Sequence, residues 1–410
     1  MRYSLTAPSA IKADILLPAS KSISNRVLII NALATGEHSI PGNLASCDDT
    51  RVMVQALTGK GTAIDILAAG TAMRFLTAYL SVSPGQWEIT GTARMRERPI
   101  GILVDALRQL GADITYTEHE GFPPLAIQGH PLQGSTLTLA GNVSSQYISA
   151  LLMIGPMLQE GLMLRLTGDI ISRPYIDLTL QLMRDFGARA DWASEATITV
   201  APQAYRSIPF SVESDWSAAS YWYQIVALHP QAEVTLQGLS KHSYQGDSRG
   251  AELFARLGIT TEFIPQGARL TKTGAAPQRL DADLLDIPDL AQTFVVTCAL
   301  LGIPFRFSGL QSLKIKETDR IAALQTELRK LGYVINVEND SVLTWNGERC
   351  PAEQTPVIHT YHDHRMAMAF APAALLYPTL QIADPGVVSK SYPSFWNDLE
   401  HAGFIVSTTD

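Results

Sequence analysis

The side chains best suited to chemistry in this sequence are cations and hydroxyls placed where apolar stretches begin. Lys21-Ser22-Ile23-Ser24-Asn25-Arg26 follows Leu16-Leu17-Pro18-Ala19-Ser20 and leads into the apolar run Val27–Leu33. A Ser/Lys/Ser turn opening a helix offers an anion its backbone N–H groups and the positive end of the dipole, with Lys21 and Arg26 adding charge. The same residues would also serve as a plain N-cap with solvated charges. Gly70-Thr71-Ala72-Met73-Arg74 sets a glycine, a hydroxyl and, one turn on, a guanidinium at another helix start, where glycine lets the backbone approach a ligand. Arg94, Arg96 and Arg98 put three guanidinium groups within five residues. They can grip phosphate or carboxylate with two hydrogen bonds each, or form surface ion pairs.

Further starts of this kind recur along the chain. Ser144-Ser145-Gln146-Tyr147 supplies uncharged donors and acceptors before Ile148–Ile154, and Ser172-Arg173-Pro174-Tyr175 joins a hydroxyl to a cation. Asp286-Ile287-Pro288-Asp289 precedes the apolar stretch Leu290–Leu301, so Asp289 is expected at a helix N-terminus. Lys316-Glu317-Thr318-Asp319-Arg320 carries both signs, and its i, i+4 cations would share one helix face. Lys390 is the last lone cation before an apolar helix. In Tyr361-His362-Asp363-His364-Arg365, alternate residues of an extended segment would bring His362 and His364 together as metal ligands. No other His/Cys cluster stands at ligand spacing, so metal is the weaker reading. Walker A, G-x-G-x-x-G, G-x-S-x-G and H-E-x-x-H patterns are missing, which leaves nucleotide cofactors and serine or zinc hydrolysis without support.

Composition narrows the partners. Over 410 residues, 31 basic and 39 acidic side chains give a formal net charge of −8. That balance argues against a general nucleic-acid or anionic-membrane binder, but not against small anions, which need only local positive charge. With 46% apolar and 17% charged residues, the chain is globular and long enough for two or three domains. Cys47, Cys298 and Cys350 are sparse and far apart, as in a reducing compartment. The first eight residues lack the apolar stretch of a secretion signal, and no apolar run reaches the roughly 18 residues of a membrane span. A cytoplasmic protein is expected.

The elements that must position these groups show a repeat. Six times an amphipathic stretch ends shortly before a glycine and a strand-like run follows: at Gly61, Gly111, Gly187, Gly258, Gly332 and Gly403. After a first interval of 50, the glycines stand 76, 71, 74 and 71 residues apart. Each copy predicts a helix closed by a left-handed glycine and followed by a strand, hence repeated α/β modules instead of one doubly wound sheet. By repeat count the chain divides between the third and fourth copies, near Pro209–Asp215.

Taken in order, these segments closely resemble the enolpyruvyl-transferase family, and within it the members that act on shikimate 3-phosphate. Leu17-Pro18-Ala19-Ser20-Lys21-Ser22-Ile23-Ser24-Asn25-Arg26, Arg96-Glu97-Arg98-Pro99-Ile100, Lys316-Glu317-Thr318-Asp319-Arg320 and Asp363-His364-Arg365-Met366-Ala367 carry the resemblance, which runs from Lys21 to about Phe404. It implies an α/β (α+β) fold of two similar domains, each of three repeated βαβαββ units with internal helices, an inside-out barrel. The domains would be 20–213, and 1–19 with 214–410, with the active site in the cleft between them. The implied reaction moves the enolpyruvyl group of phosphoenolpyruvate to the 5-hydroxyl of shikimate 3-phosphate by addition and elimination, without metal or organic cofactor, in a monomer. By resemblance, shikimate 3-phosphate meets Lys21, Ser22, Arg26, Ser144, Ser145, Gln146, Ser172, Tyr175, Asp289, Ser312 and Lys316. Phosphoenolpyruvate meets Lys21, Gly70, Arg98, Gln146, Arg320, Arg365 and Lys390. Lys21, Asp289 and Glu317 are the implied catalytic residues, with Asp289 accepting the hydroxyl proton and Glu317 protonating the enol carbon.

Three positions depart from many relatives: Ala68 for asparagine, Phe75 for proline after the glycine turn, and Ser312 for asparagine. Retention of Gly70 implies sensitivity to glyphosate, which the family binds in the phosphoenolpyruvate site. The nearest alternative is the sister transferase acting on UDP-N-acetylglucosamine, which typically has Lys-Asn at Lys21-Ser22 and a loop cysteine near the arginine motif. Neither is present here.

Overall fold

Four of the six expected modules have a helix that ends at a left-handed glycine and turns into a strand in one continuous stretch: the helices Gly101–Gln109, Arg173–Asp185, Gly250–Arg256 and Phe395–His401 end at Gly111, Gly187, Gly258 and Gly403. The helix Arg320–Lys330 ends likewise at Gly332, with φ of 90°. The first copy differs. Its helix Asp48–Thr58 is capped by Gly59 in an extended conformation, and Gly61 is not left-handed. These observations come from a computed structural model that describes residues 1–36 and 39–409.

The chain forms two compact units, Ala19–Val212 and Met1–Pro18 with Glu213–Asp410. Within Ala19–Val212, one module runs strand Ala63–Asp65, helix Gly70–Val82, strand Gly85–Thr90, helix Gly101–Gln109, and strands Asp113–Tyr116 and Leu125–Gly129. The first two strands pair in parallel and the rest antiparallel, giving a four-stranded mixed sheet. A second module repeats the order from Ser135–Ala140 to Thr197–Val200. The remaining module keeps its helices, Lys21–Leu33 and Asp48–Thr58, but among the described residues has isolated bridges, Thr35 with Arg206 and Gly42 with Ser211, in place of a sheet. Pro41 and Pro209 lie in those two segments and cannot donate to a ladder.

The other unit holds three complete sheets. In one, Ile11–Leu16 pairs in parallel with Ala232–Gln237, although the whole of Ala19–Val212 lies between them in sequence. In another, the strand Arg2–Thr6 lies between Gln381–Ala383 and Ile405–Thr409.

Five of the six modules have one helix buried nearly all round. Gly70–Val82, Ser145–Ile154, Trp216–Leu228, Ala291–Leu301 and His364–Phe370 are the innermost. Their sequences are mostly apolar, as an enclosed helix requires, with Arg74 and Arg365 the buried cations among them. Around them Phe254 packs on Phe294 with ring centroids 4.6 Å apart, and Trp222 donates from its indole N–H to the Tyr392 hydroxyl at 3.1 Å. Polar residues at the N-termini of these central helices are therefore carried on rigid supports.

Candidate functional site

Within Ala19–Val212, Ser20 caps the helix Lys21–Leu33, its hydroxyl accepting from the Ile23 amide at 3.5 Å. Lys21 Nζ stands 3.4 Å from the buried carboxylate of Asp49. Arg26 is 2% exposed, and its guanidinium is fully engaged with neutral groups. Nε donates to Thr179 Oγ1 at 2.7 Å, Nη1 to the Ser22 carbonyl at 2.9 Å, and Nη2 to Ser149 Oγ at 3.1 Å and the Tyr175 carbonyl at 3.5 Å. Burial pulls this guanidinium down to about 10, so it remains charged at neutral pH. The Phe75 ring lies under Arg26, with the guanidinium carbon 5.3 Å from its centroid. Phe75, the residue expected to reshape the glycine turn, thus links the Gly70–Val82 helix to Arg26.

A second cluster surrounds Gly70. A methyl group added there would fall 2.5 Å from Arg98 Nη1 and 2.6 Å from Arg74 Nη1, so two guanidinium tips already occupy the space beside the glycine. Arg74 donates to the Gly70 carbonyl at 2.7 Å and lies over the Tyr147 ring. The Tyr147 hydroxyl donates to the Pro99 carbonyl at 2.6 Å, tying down the backbone next to Arg98. Gln146 donates to Thr71 Oγ1 at 3.2 Å, and Ser144 caps the helix that carries Ser145 and Gln146. Arg74 was legible one turn beyond Gly70, yet its place in the cluster was not. Of the three guanidinium groups in Arg94–Arg98, Arg94 pairs with Glu97 and Arg96 with Glu118 on the surface, and Arg98 meets Gly70. Ser172 is buried at the start of the helix Arg173–Asp185 with φ of 55°, a conformation uncommon outside glycine.

Among the described residues, neither Arg26 nor Arg74 has a carboxylate within 4 Å, and Arg74 Nε is buried without a hydrogen-bond partner. A guanidinium removed from water without a counter-ion costs several kcal/mol, which an anion would offset.

The other unit gathers the remaining residues into one charge network. Asp289 lies on the turn Pro288–Leu290, which leads into the buried helix Ala291–Leu301. Its Oδ1 is 3.2 Å from Arg320 Nη1 and 3.6 Å from Lys316 Nζ, and its Oδ2 is 2.8 Å from Arg365 Nη2. Glu317 sits between Arg320, at 2.9 Å, and Lys390, at 3.1 Å. Arg320 is 1% exposed and also meets Asp363 through Nε at 2.7 Å and Nη2 at 3.3 Å. Burial alone would lower the Arg320 guanidinium, but Asp363, Glu317 and Asp289 outweigh it and push it up. For Asp289, burial pulls upward, and Arg365, Lys316 and Arg320 together hold it well below the usual carboxylate range.

Two sequence expectations change here. Lys316 and Glu317 are not helical: Asp319 caps the helix, which begins at Arg320, and both cations reach Asp289 from different elements. Nor do His362 and His364 converge as on a strand. Tyr361 and His362 are left-handed, Asp363 caps the helix His364–Phe370, and His362 is exposed while His364 is buried. Among the described residues, no group of three His, Cys, Asp or Glu stands at metal-binding geometry. Ser312 is half-buried on the turn Gln311–Ile315 just before Lys316. Asp49 and Asp363, the acidic partners of Lys21 and Arg320, went unremarked as partners in the sequence, because their pairings span 28 and 43 residues.

Comparison with known proteins gives a consistent match. The family model described as EPSP synthase (3-phosphoshikimate 1-carboxyvinyltransferase) matches residues 5–64 and 57–399. A 3-phosphoshikimate 1-carboxyvinyltransferase of Bacteroides fragilis is 68% identical, with 98% of each chain covered. One from Shewanella pealeana is 37% identical over 94% of this chain and 96% of its own. Among solved structures, an EPSP synthase from Acinetobacter baumannii superposes with a TM-score of 0.79 at 22% identity, covering all of both chains. The enolpyruvyl transferase NikO from Streptomyces tendae gives 0.74 at 14%. At those identities the solved structures establish the shared fold, and the closer sequences establish kinship.

Proposed function

The chain belongs to the EPSP synthase family, and we propose that the two groups of side chains described above carry out the transfer that this membership implies. The enzyme moves the enolpyruvyl group of phosphoenolpyruvate to shikimate 3-phosphate and releases inorganic phosphate, a step toward chorismate and the aromatic amino acids. UDP-N-acetylglucosamine is not favoured as acceptor, given the near full-length match to the shikimate-phosphate enzymes.

The observation that carries the assignment of residues is the surplus of buried positive charge around Gly70 and Arg26. In our reading, Lys21, Ser22, Arg26, Ser144, Ser145, Gln146, Ser172, Tyr175, Ser312 and Lys316 hold shikimate 3-phosphate. Lys21, Gly70, Arg98, Gln146, Arg320, Arg365 and Lys390 hold phosphoenolpyruvate, and Arg74 joins them behind Gly70.

Asp289 takes the proton of the 5-hydroxyl as its oxygen attacks the enol carbon, and Glu317 protonates the methylene carbon. The resulting tetrahedral intermediate loses phosphate as the Glu317 carboxylate takes a proton back from the methyl group and the double bond re-forms. A carboxylate gripped by three cations is a weak base. Substrate anions that draw Arg365, Arg320 and Lys316 away raise its basicity when a hydroxyl is in place to be deprotonated. Glu317, held as a carboxylate between Arg320 and Lys390, is released by the same exchange of partners and takes up a proton from solvent, which it then gives to the methylene carbon. The remaining cations stabilise charge building up on the departing phosphate.

The test is a coupled phosphate-release assay with both substrates. Wild-type protein should release phosphate only when both are present, and glyphosate should compete with phosphoenolpyruvate. Asp289→Ala and Glu317→Ala should each lower kcat by about 10²–10⁴-fold, the usual value of general acid–base help, with shikimate 3-phosphate still bound. Failure of the wild type to release phosphate overturns the reading. Among the described residues, no helix is long and apolar enough to cross a membrane. A cytoplasmic monomer is the form we propose, and sedimentation at assay concentrations checks its oligomeric state.

A further inference from the structure

Behind the Asp289–Arg365 pair lies a carboxylate with no role in the transfer as described. Asp247, on the short turn Gly246–Arg249, is 4% exposed. Its Oδ2 accepts a short hydrogen bond from the Ser217 hydroxyl, and Ser217 Oγ in turn accepts from Arg365 Nη2 at 3.4 Å. The same Arg365 nitrogen holds Asp289 at 2.8 Å, and Arg365 Nη1 donates to the Tyr221 hydroxyl at 3.4 Å. Carboxylate, hydroxyl, guanidinium and carboxylate therefore form one chain.

We propose that Asp247 is a positioning residue that anchors Arg365 through the Ser217 hydroxyl and whose charge sets how strongly Arg365 engages the substrate anion. The proposal rests on the reading that Arg365 binds phosphoenolpyruvate.

The groups facing Asp247 are Asp289 from the turn Pro288–Leu290, Arg365 from His364–Phe370, and Ser217 and the capping Asp215 from Trp216–Leu228. On the adjoining segments, Arg249 is turned to Asp286 at 2.9 Å, and Glu252 and Arg256 are exposed. Burial first, then repulsion by Asp289 and Asp215, pushes the Asp247 carboxyl up to about 6, against the pull of Arg365 and of the Ser217 hydrogen bond. Protonation below that point removes a negative charge beside Arg365. The affinity for a substrate anion is then greater below pH 6 than above it.

Asp247→Asn keeps an acceptor for Ser217 and removes the charge. At pH 8 it should lower the KM for phosphoenolpyruvate by about three- to tenfold, the effect of one partly screened charge several ångströms away. At pH 5.5 variant and wild type should converge. Their ratio cancels the titration of the ligand itself, which is common to both, and the KM for shikimate 3-phosphate should not share the step. Ser217→Ala removes a hydrogen bond that favours the ionised carboxyl. It should raise the KM for phosphoenolpyruvate and move the step to higher pH, a readout that stands even if Asp247→Asn fails to fold. An active wild type whose ratio to Asp247→Asn is flat across pH, or a step unmoved in Ser217→Ala, overturns the proposal. A wild type that releases no phosphate overturns the underlying assignment instead.

Discussion

Gly70 has no room for a side chain, because the tips of Arg98 and Arg74 stand where a methyl group would go. Gly70→Ala must displace one or both guanidinium groups by a few tenths of an ångström or more. We expect at least a tenfold rise in the KM for phosphoenolpyruvate with the KM for shikimate 3-phosphate nearly unchanged, measured by steady-state phosphate release. Asp289 allows a prediction in pH. Its folded-state pKa is depressed, so its contribution to stability is present above the unfolded value of about 3.9 and is lost only as pH falls through the lower folded value. The free enzyme should therefore show no limb from Asp289 in kcat/KM between pH 5 and 8, and Asp289→Asn should lower the profile by a constant factor across that window. At this scale the sequence was readable by residue type and blind to choice of partner. Nothing in Arg94–Arg98 tells that Glu97 and Glu118 occupy two of the guanidinium groups and leave the third for Gly70.

At the scale of elements, the helix His364–Phe370 shows how a local signal and a long-range one share a side chain. Asp363 caps it, accepting from the Arg365 amide at 2.9 Å, while its two oxygens also hold Arg320. Asp363→Ala removes a cap and leaves Arg320 with a buried, partly uncompensated charge. We expect a loss of about 3 kcal/mol in urea unfolding, well above that of a cap alone. Asp363→Asn, which can still cap, should lose less. Helix ends such as Gly111 and Gly403 were legible because a left-handed glycine is a strictly local requirement. The isolated bridges beside Lys21–Leu33, which among the described residues stand in place of a sheet, were not, since helix periodicity says nothing about how the segments at Thr35 and Gly42 pair. The helical start at Arg320 instead of Lys316 was set by Asp319, one of two acidic residues in that motif able to compete for the N-terminus.

For the whole molecule, eight of the 31 basic residues, Arg74 included, are assigned to substrate, and setting them aside leaves 23 against 39 acidic side chains. The net charge hides this division. Attraction of small anions to such local positive charge is screened by salt, so the KM for phosphoenolpyruvate should rise severalfold between about 0.05 and 0.5 M KCl with little change in kcat, as initial rates would show. The pairing of Arg2–Thr6 with Gln381–Ala383 and Ile405–Thr409 has a further consequence, in time. Ala19–Val212 is one continuous piece and can fold while translation is still under way. At about 5–20 residues per second, Arg2–Thr6 waits about 20–80 s for its neighbours to leave the ribosome. Nascent chains arrested near residue 250 should already yield a protease-resistant fragment spanning 19–212, with residues 2–16 still open to cleavage. Ile405–Thr409 closes a sheet that Arg2–Thr6, made about 400 residues earlier, has held open throughout.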